Sequence, residues 1–260
     1  MRGGGDMTAV LSAEGLTKQF AKDDSAIVAL RDFALTVEEG SFVTVLGRSG
    51  CGKSTMLNLL AGLTEPSEGV VSHRGAKLTG PDVDIGYLTQ SDTLMPWRDV
   101  QRNVEMPLEI RGVRTDERRR TAAELLRRVG LEGFERHYPR ELSGGMRRRA
   151  SLARMLAGTP STLLMDEPFG ALDAQLRTEL QEELLKLWHG SGQTVVFVTH
   201  DIEEALLLGD RIVVLGGLGR IVADEKITLA RPRSVDALRV DPEFVRLHTA
   251  MAAALKEGSS

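Results

Sequence analysis

Residues 47–55 read G-R-S-G-C-G-K-S-T and directly follow the apolar run at residues 41–46. The stretch fits the pattern G-x-x-x-x-G-K-[ST], in which a loop leaves a strand and opens a helix. Glycines let backbone N–H groups turn toward phosphate oxygens, and the helix that follows presents unpaired donors and its positive dipole end. The sequence therefore predicts a nucleotide phosphate-binding loop formed by Gly47, Arg48, Ser49, Gly50, Cys51, Gly52, Lys53, Ser54 and Thr55.

Three side chains of this loop have distinct chemistry. Lys53 is expected to reach the β- and γ-phosphates, and the Ser54 hydroxyl is expected to bind Mg²⁺, a hard cation that prefers oxygen ligands. Cys51 is the only cysteine of the chain. It is interpreted as a small side chain that fills the loop, with an alkylation-sensitive thiol as the alternative.

Composition argues against a general role in binding nucleic acids. The 260 residues include 33 basic and 37 acidic side chains, interspersed, for a net charge of −4. A nucleic-acid binder usually carries a basic patch or stripe. The arginine clusters at 118–120 and 147–149 lie in helical patterns and are predicted to form solvated faces, with Arg147 as the one candidate exception.

Nothing in the sequence predicts a membrane span or a secretion signal. No apolar run reaches the roughly 20 residues that cross a bilayer, and no signal-peptide core follows Arg2. A single cysteine allows no internal disulfide, which fits a reducing compartment. We therefore expect a cytoplasmic protein whose residues 1–7 form a flexible leader, with Met7 as an alternative start.

Strand-like and helical segments alternate along most of the chain. This alternation predicts a layered α/β domain around a largely parallel sheet. Between residues 91 and 157 the strand signals are replaced by helical ones, which predicts an inserted helical subdomain within one domain spanning 8–240, followed by a C-terminal helix and tail at 241–260. The predicted strands are 9–16, 29–37, 41–46, 69–72, 83–88, 162–165, 194–198, 211–215 and 220–223, and the predicted helices are 100–110, 115–129, 144–156 and 174–188.

Two acidic residues end the apolar segment T-L-L-M-D-E at 162–167. Open α/β sheets bind ligands at the C-terminal ends of their strands. Asp166 is therefore predicted to hold Mg²⁺, and Glu167 to orient or deprotonate the water that attacks the γ-phosphate.

Polar residues also follow two other predicted strands. T-V-V-F-V-T-H at 194–200 ends in His200, which can donate a hydrogen bond to phosphate and respond to loss of the γ-phosphate. Gln90 follows the strand at 83–88, and its amide oxygen can pair with Mg²⁺ or with water. Both are candidate catalytic residues, and Gln90 is also a candidate metal ligand.

The order of these motifs resembles that of the ATP-binding cassette (ABC) ATPases over almost the whole chain. It includes the phosphate loop, Gln90, L-S-G-G at 142–145, the strand with Glu167, G-A-L-D at 170–173, and His200. The resemblance implies a P-loop cassette with a mainly parallel sheet core, an antiparallel β subdomain and an inserted helical subdomain. It also implies that Ser143, Gly144 and Gly145 close over ATP held by a partner's phosphate loop, and that Phe20 stacks on adenine, with core packing as the alternative for Phe20.

Two positions depart from the family pattern. Met146 stands where many relatives have Gln, and Gly170 where many have Ser; activity is expected to survive both changes. L-S-G-G-M-R at 142–147, together with M-P-W-R-D-V-Q-R-N-V at 95–104 and D-P-E-F-V-R-L at 241–247, is similar to the branch of nitrate, sulfonate and taurine importers.

The resemblance to that branch implies a set of partners. They are a second ATPase subunit, membrane-embedded permease subunits and a solute-binding protein. The second ATPase subunit is expected to be an identical chain, with a related ATPase as the alternative. Met95, Pro96 and Trp97 are candidate permease contacts, although the same apolar cluster could pack inside the helical subdomain. The leading interpretation is the ATP- and Mg²⁺-dependent, energy-coupling ATPase of an importer of small anions, peripheral on the inner face of the cell membrane.

Two other interpretations are weaker. A soluble ABC ATPase that acts on ribosomes or DNA is disfavoured by the single cassette and by the ordinary charge. An ATP-responsive scaffold without turnover is disfavoured by the presence of Glu167 and His200.

Overall fold

A computed structural model describes residues 9–22, 25–91, 93–170 and 172–258 of the chain. The predicted leader at 1–7 lies outside these residues, as does position 171 of the G-A-L-D motif. In the described part of the chain, no helix has the combined length and apolarity that a membrane span requires.

Strands and helices alternate as the sequence predicts. The strands are β1 (Ala9–Lys22), β2 (Ser25–Glu38), β3 (Phe42–Gly47), β4 (Glu68–His73), β5 (Ala76–Lys77), β6 (Ile85–Leu88), β7 (Thr162–Asp166), β8 (Thr194–Thr199), β9 (Arg211–Leu215) and β10 (Ile221–Lys226). The helices are α1 (Lys53–Leu60), α2 (Val100–Ile110), α3 (Thr115–Arg128), α4 (Gly144–Ala157), α5 (Ala174–Trp188), α6 (Ile202–Leu208), α7 (Val235–Arg239) and α8 (Pro242–Glu257).

The described residues form two compact units. The first contains the residues up to Asp82 and those from Gly192 onward, and the second contains Val83–Ser191. The first unit therefore carries the phosphate loop and His200, whereas the second carries Gln90, L-S-G-G and Glu167.

The first unit contains strands of two kinds. An antiparallel sheet has the order β2-β1-β4-β5. Separately, β3 pairs in parallel with both β8 and β9, and β10 runs antiparallel to β9. All residues of β3 and β8 are buried, as expected for strands inside a parallel sheet that is covered on both faces.

The second unit combines the parallel pair β6 and β7 with helices that pack on one another. Side chains at the N-caps fix where three of these helices begin. Asp99 accepts a hydrogen bond from the N–H of Arg102 at α2, Ser143 from that of Met146 at α4, and Asp173 from that of Leu176 at α5. Such caps satisfy N–H groups that have no partner inside the helix.

The predicted elements agree with the observed ones apart from several ends, and β5, α6 and α7 have no predicted counterpart. Helices α2 and α5 have the predicted bounds, and Leu180 and Leu184 of α5 are buried. The predicted β1 ends too early, because the observed strand continues to Lys22. Pairing with β2 stabilises the strand beyond the point where the apolar pattern is lost. The two-residue strand β5 was missed because it has no apolar pattern of its own.

Candidate nucleotide-binding site

The phosphate loop lies between a buried strand and a helix. β3 ends at Gly47, the next three residues are exposed, and α1 begins at Lys53 with Gly52 as its N-cap. Gly50 and Gly52 have φ angles of 84° and 106°, in the region that side chains rarely adopt. This backbone brings exposed N–H groups to the start of a helix, where anions bind readily.

Two glycines of the loop have no space for a side chain. A Cβ atom on Gly47 would lie 2.6 Å from Cys51 Sγ, and one on Gly52 would lie 2.7 Å from the carbonyl oxygen of Ala29. The loop is also held from the β9–β10 turn, because the N–H of Gly219 donates to the carbonyl of Cys51 at 2.9 Å. Packing therefore requires glycine at both positions, and at Gly52 the left-handed backbone requires it as well.

Lys53 and Cys51 are both buried in the loop. The ammonium of Lys53 donates to the carbonyls of Gly47 at 2.7 Å and Arg48 at 3.0 Å, which holds the charge within the curve of the loop. Burial raises the pKa of the Cys51 thiol, and the nearby Lys53 charge opposes this only in part. A buried thiol with a raised pKa is unreactive, which supports the filling role for Cys51.

Replacing Gly52 with Ala is expected to weaken ATP binding by roughly 5- to 150-fold, since a left-handed conformation and a backbone contact together cost roughly 1–3 kcal/mol. The measurement is ATP affinity by calorimetry on the purified protein. Gly75→Ala is the matched control, because Gly75 also has positive φ, 77°, but an added Cβ meets nothing within 4 Å. Wild-type ATP affinity in Gly52→Ala would contradict the steric argument.

His200 and Phe20 are both exposed in the first unit. His200 follows β8, and its turn is fixed because Thr199 Oγ1 accepts from the N–H of Asp201 at 3.0 Å and donates to the Glu204 carboxylate. Phe20 lies on β1 with 44% of its surface exposed, and the Lys18 ammonium is 5.2 Å from its ring centre. This exposure does not support core packing for Phe20, and the Lys18 ammonium covers one face of its ring.

In the second unit, the two acidic residues lie at the end of β7, as predicted. Asp166 is buried, whereas Glu167 is partly exposed. Glu167 has φ of 44°, a left-handed conformation that costs a residue with a side chain roughly 1–2 kcal/mol. Strained backbone of this kind is found most often at functional sites. Burial, and then the Asp166 carboxylate, raises the pKa of Tyr87, so the Tyr87 hydroxyl stays neutral beside this strand end.

The L-S-G-G motif forms the start of α4. Ser143 is exposed, and its hydroxyl caps the helix by accepting from the N–H of Met146 at 3.2 Å. Arg147 donates to the carbonyl of Leu142 at 2.7 Å, which stabilises the same turn. The positive end of α4 therefore lies at an exposed, small-residue surface that suits an anionic ligand.

The prediction that the 147–149 cluster forms a solvated face was wrong for one residue. Arg148 is buried, with 7% of its surface exposed, and donates to the backbone carbonyls of Thr89, Gln90, Asp166 and Pro168. Arg119 and Arg120 are exposed, as predicted. No signal in the sequence separates Arg148 from its neighbours, because helix rotation alone decides which of three consecutive side chains is buried.

The two departures from the family pattern are sterically mild. Met146 is partly exposed in the first turn of α4. Gly170 is exposed, and a Cβ atom there would lie 3.7 Å from Glu167 Oε2, an ordinary contact. Neither position disturbs the backbone of its motif.

The oxygen donors present suit Mg²⁺. Ser54 is exposed in the first turn of α1, Asp166 supplies a carboxylate at the end of β7, and Gln90 supplies an exposed amide. Mg²⁺ is usually held by one or two carboxylates with hydroxyl, water and phosphate oxygens. In each unit taken by itself, the chemistry of these oxygen donors therefore fits this ion.

A buried parallel strand, a glycine loop of left-handed conformation and a helix that begins at a lysine define a P-loop nucleotide-binding protein. Residues 30–170, more than half of the chain, match the ABC transporter family. The chain belongs to this family and is therefore an ATP-binding, ATP-hydrolysing cassette.

Characterised and uncharacterised members of the family are similar over most of the chain. An uncharacterised ABC transporter ATP-binding protein of Methanocaldococcus jannaschii, MJ0412, is 47% identical over 96% of this chain and 93% of its own. The taurine import ATP-binding protein TauB of Yersinia pestis is 46% identical over 84% of this chain and 87% of its own, and that of Burkholderia pseudomallei is 44% identical over 94% and 95%.

Solved structures agree with this assignment. The ATP-binding cassette MJ0796, in a dimeric post-hydrolysis state bound to ADP and Pi, superimposes with a TM-score of 0.78 and 36% identity, covering 85% of this chain and 100% of that chain. Another dimeric structure of MJ0796 gives the same TM-score with 37% identity. The expected α/β cassette fold is therefore confirmed.

Proposed function

We propose that this chain is the energy-coupling ATPase subunit of an importer for small anions such as sulfonates, taurine or nitrate. The observation that carries the proposal is its similarity to taurine import ATP-binding proteins along 84% to 94% of its length. The permease and the solute-binding protein select the solute, and the chain supplies the energy.

ATP is held at the phosphate loop. The N–H groups of residues 47–55 surround the phosphates, Lys53 pairs with the β- and γ-phosphates, and Phe20 stacks on the adenine. Support comes from the left-handed glycines of the loop and from the exposed ring of Phe20. Ser54, Asp166 and Gln90 would hold Mg²⁺, which would neutralise negative charge on the phosphate oxygens when bound.

Hydrolysis uses residues that follow β6, β7 and β8. Glu167 accepts a proton from the attacking water or orients it, Gln90 helps to position that water, and His200 donates a hydrogen bond to the γ-phosphate. Because His200 contacts the phosphate that is lost, it responds to hydrolysis.

The working form is a dimer, expected to be of identical chains. Ser143, Gly144 and Gly145 of one subunit contact ATP held by the phosphate loop of the other, so ATP closes the dimer and hydrolysis reopens it. The exposed, capped start of α4 supports this arrangement, as does the dimeric state of the MJ0796 cassette.

A permease subunit contacts the segment around Met95, Pro96 and Trp97. Asn103, fully buried on α2, donates to the carbonyls of Met95, Arg98 and Asp99 and accepts from the N–H of Met95, so this segment has a fixed conformation. Pro96 is exposed and Trp97 is 71% exposed, which does not support packing inside the helical subdomain.

A groove of about 350 Å³ adjoins this segment in the same unit. Its lining combines apolar side chains, among them Met95, Met106 and Met155, with the polar Tyr87 and Arg154. Flexible methionine side chains adapt to an inserted apolar helix, which suits a cytosolic helix of a permease. This surface supports the proposal that the ATPase works at the inner face of the cell membrane.

Replacing Trp97 with Ala is expected to weaken permease binding by about 30-fold or more, since exposed aromatic anchors dominate interface energies. Basal ATPase activity and melting temperature should stay close to wild-type values, because most of the Trp97 side chain is exposed. Binding is measured with the purified permease in nanodiscs. Ile110→Ala is the matched control, because Ile110 is equally exposed, 71%, on the same unit.

The experiment that tests the function is quantitative mass spectrometry of proteins that co-purify with the chain from gently solubilised native membranes. A multi-span permease together with a solute-binding protein is the expected result, and that binding protein then reports the solute class. Enrichment of ribosomal or DNA-repair proteins without a permease would contradict the importer proposal and favour a soluble ABC ATPase.

A further inference from the structure

Arg148 joins three parts of the second unit that serve ATP hydrolysis. It belongs to α4, which begins with L-S-G-G. Its Nη1 donates to the carbonyls of Thr89 and Gln90, its Nη2 to that of Asp166 at 3.0 Å, and its Nε to that of Pro168 at 2.7 Å. One side chain thus bonds α4 to the backbone of both the Gln90 segment and the Glu167 turn.

Glu167 lies between two of these carbonyls. The Arg148 guanidinium bonds to the carbonyls of Asp166 and Pro168, the residues on either side of Glu167. Glu167 itself has φ of 44°, a conformation that a glutamate leaves unless the surrounding structure opposes the change. Because guanidinium donors are planar and fixed in direction, two bonds to flanking carbonyls restrain the rotation of the peptide units between them.

The burial of Arg148 makes this restraint strong. The residue is 7% exposed, and its hydrogen bonds to the carbonyls of Asp166 and Pro168 are buried, so these two are not in competition with bulk solvent. Charge-assisted bonds are stronger than neutral ones. Removing the side chain would leave buried carbonyl groups without their donor, which costs more than the loss of an exposed hydrogen bond.

We propose that Arg148 is a positioning residue for hydrolysis: it keeps the Glu167 backbone in its left-handed conformation and ties that conformation, and the Gln90 segment, to α4. The proposal rests on the catalytic roles of Glu167 and Gln90 given above. When the L-S-G-G end of α4 binds a partner's ATP, α4 is displaced. The Arg148 guanidinium then transmits this displacement to the Gln90 segment and to the Glu167 turn.

Arg148→Gln is expected to lower kcat for ATP hydrolysis by about 10- to 100-fold, as for other residues that orient a catalytic group through a hydrogen bond. The KM for ATP and the affinity for a fluorescent ATP analogue should change by less than about threefold, because the phosphate loop is intact. The kcat of Arg148→Lys is expected to lie between those of the wild type and Arg148→Gln, since one ammonium cannot reach all four carbonyls in a fixed plane.

Arg149→Gln is the matched control. Arg149 is adjacent on α4 and also donates to two backbone carbonyls, those of Val129 and Gly130, which belong to the end of α3 and the loop after it. Its replacement should change kcat by less than about twofold. Equal losses of kcat in the Arg148 and Arg149 variants, with equal losses of melting temperature, would assign Arg148 a merely structural role and overturn the proposal.

A double-mutant cycle with Glu167→Gln provides the decisive readout, measured by single-turnover hydrolysis of labelled ATP. If Arg148 acts through Glu167, then Arg148→Gln in the Glu167→Gln background causes little further loss. Losses that multiply would overturn the proposal. Should Arg148→Gln fail to fold, the same cycle is run with Arg148→Lys. A wild-type kcat in Arg148→Lys would also overturn the proposal. Normal ATP hydrolysis by Glu167→Gln would contradict the catalytic role of Glu167 itself. This result distinguishes failure of the proposed function from failure of the proposal for Arg148.

Discussion

Replacing Glu167 with Gln is expected to lower ATP turnover by about 10²- to 10⁴-fold, the usual contribution of a positioned general base. ATP binding should persist, because glutamine has the same size and the phosphate loop is unchanged. The variant should therefore accumulate as a nucleotide-bound dimer. Phosphate release measures turnover, and size-exclusion chromatography with light scattering in the presence of ATP measures the dimer.

Glu182→Gln is the control for this prediction. Glu182 is exposed on α5 in the same unit, so the substitution makes the same chemical change away from the candidate site. Its turnover should remain within about twofold of wild type. Undiminished hydrolysis in Glu167→Gln would remove Glu167 from the role of base.

Replacing Lys53 with Met is expected to weaken ATP binding by roughly 10- to 150-fold, which corresponds to the 1.5–3 kcal/mol of a hydrogen bond to a charged group. Methionine keeps the unbranched shape of the buried stem but provides no charge and no donor. The bonds from Lys53 to the carbonyls of Gly47 and Arg48 are lost as well, so the loop also loses a brace. Affinity is measured by calorimetry with ATP and Mg²⁺.

Lys77→Met is the matched control, since Lys77 is exposed on β5 of the same unit. Its ATP affinity should equal that of wild type. Comparing the salt dependence of ATP binding separates the two contributions of Lys53: loss of a phosphate contact reduces that dependence, whereas loss of a loop brace leaves it unchanged. Wild-type affinity in Lys53→Met would exclude Lys53 from phosphate binding.

The candidate site could be predicted from the sequence to an unusual extent because it lies at the ends of strands. Buried strands such as β3, β7 and β8 appear as short apolar runs, and the polar residue that ends each run marks one end of a strand. The caps of α2, α4 and α5 are also local features, formed by residues three positions apart. Asp166, Glu167 and His200 are predicted from these strand ends, whereas Ser143 is predicted from the L-S-G-G motif and its resemblance to the family.

Long-range packing carries no such local signal. Asn103 fixes the segment that presents Trp97 through hydrogen bonds to residues up to eight positions away, and the sequence shows only an asparagine within a helix. The conformation of Glu167 is equally hidden, since a positive φ at a glutamate contradicts its intrinsic preference.

The sequence by itself determined that this chain binds nucleotide at a P-loop, alternates strands with helices and carries the motifs of an ABC ATPase, because each of these features depends on residues that are neighbours in the chain. Only the tertiary structure decided that Arg148, rather than Arg147 or Arg149, is buried against the carbonyls around Gln90 and Glu167. Three consecutive helical residues point in directions about 100° apart, following the 3.6-residue turn, and only the packing of α4 selects the one that faces the site.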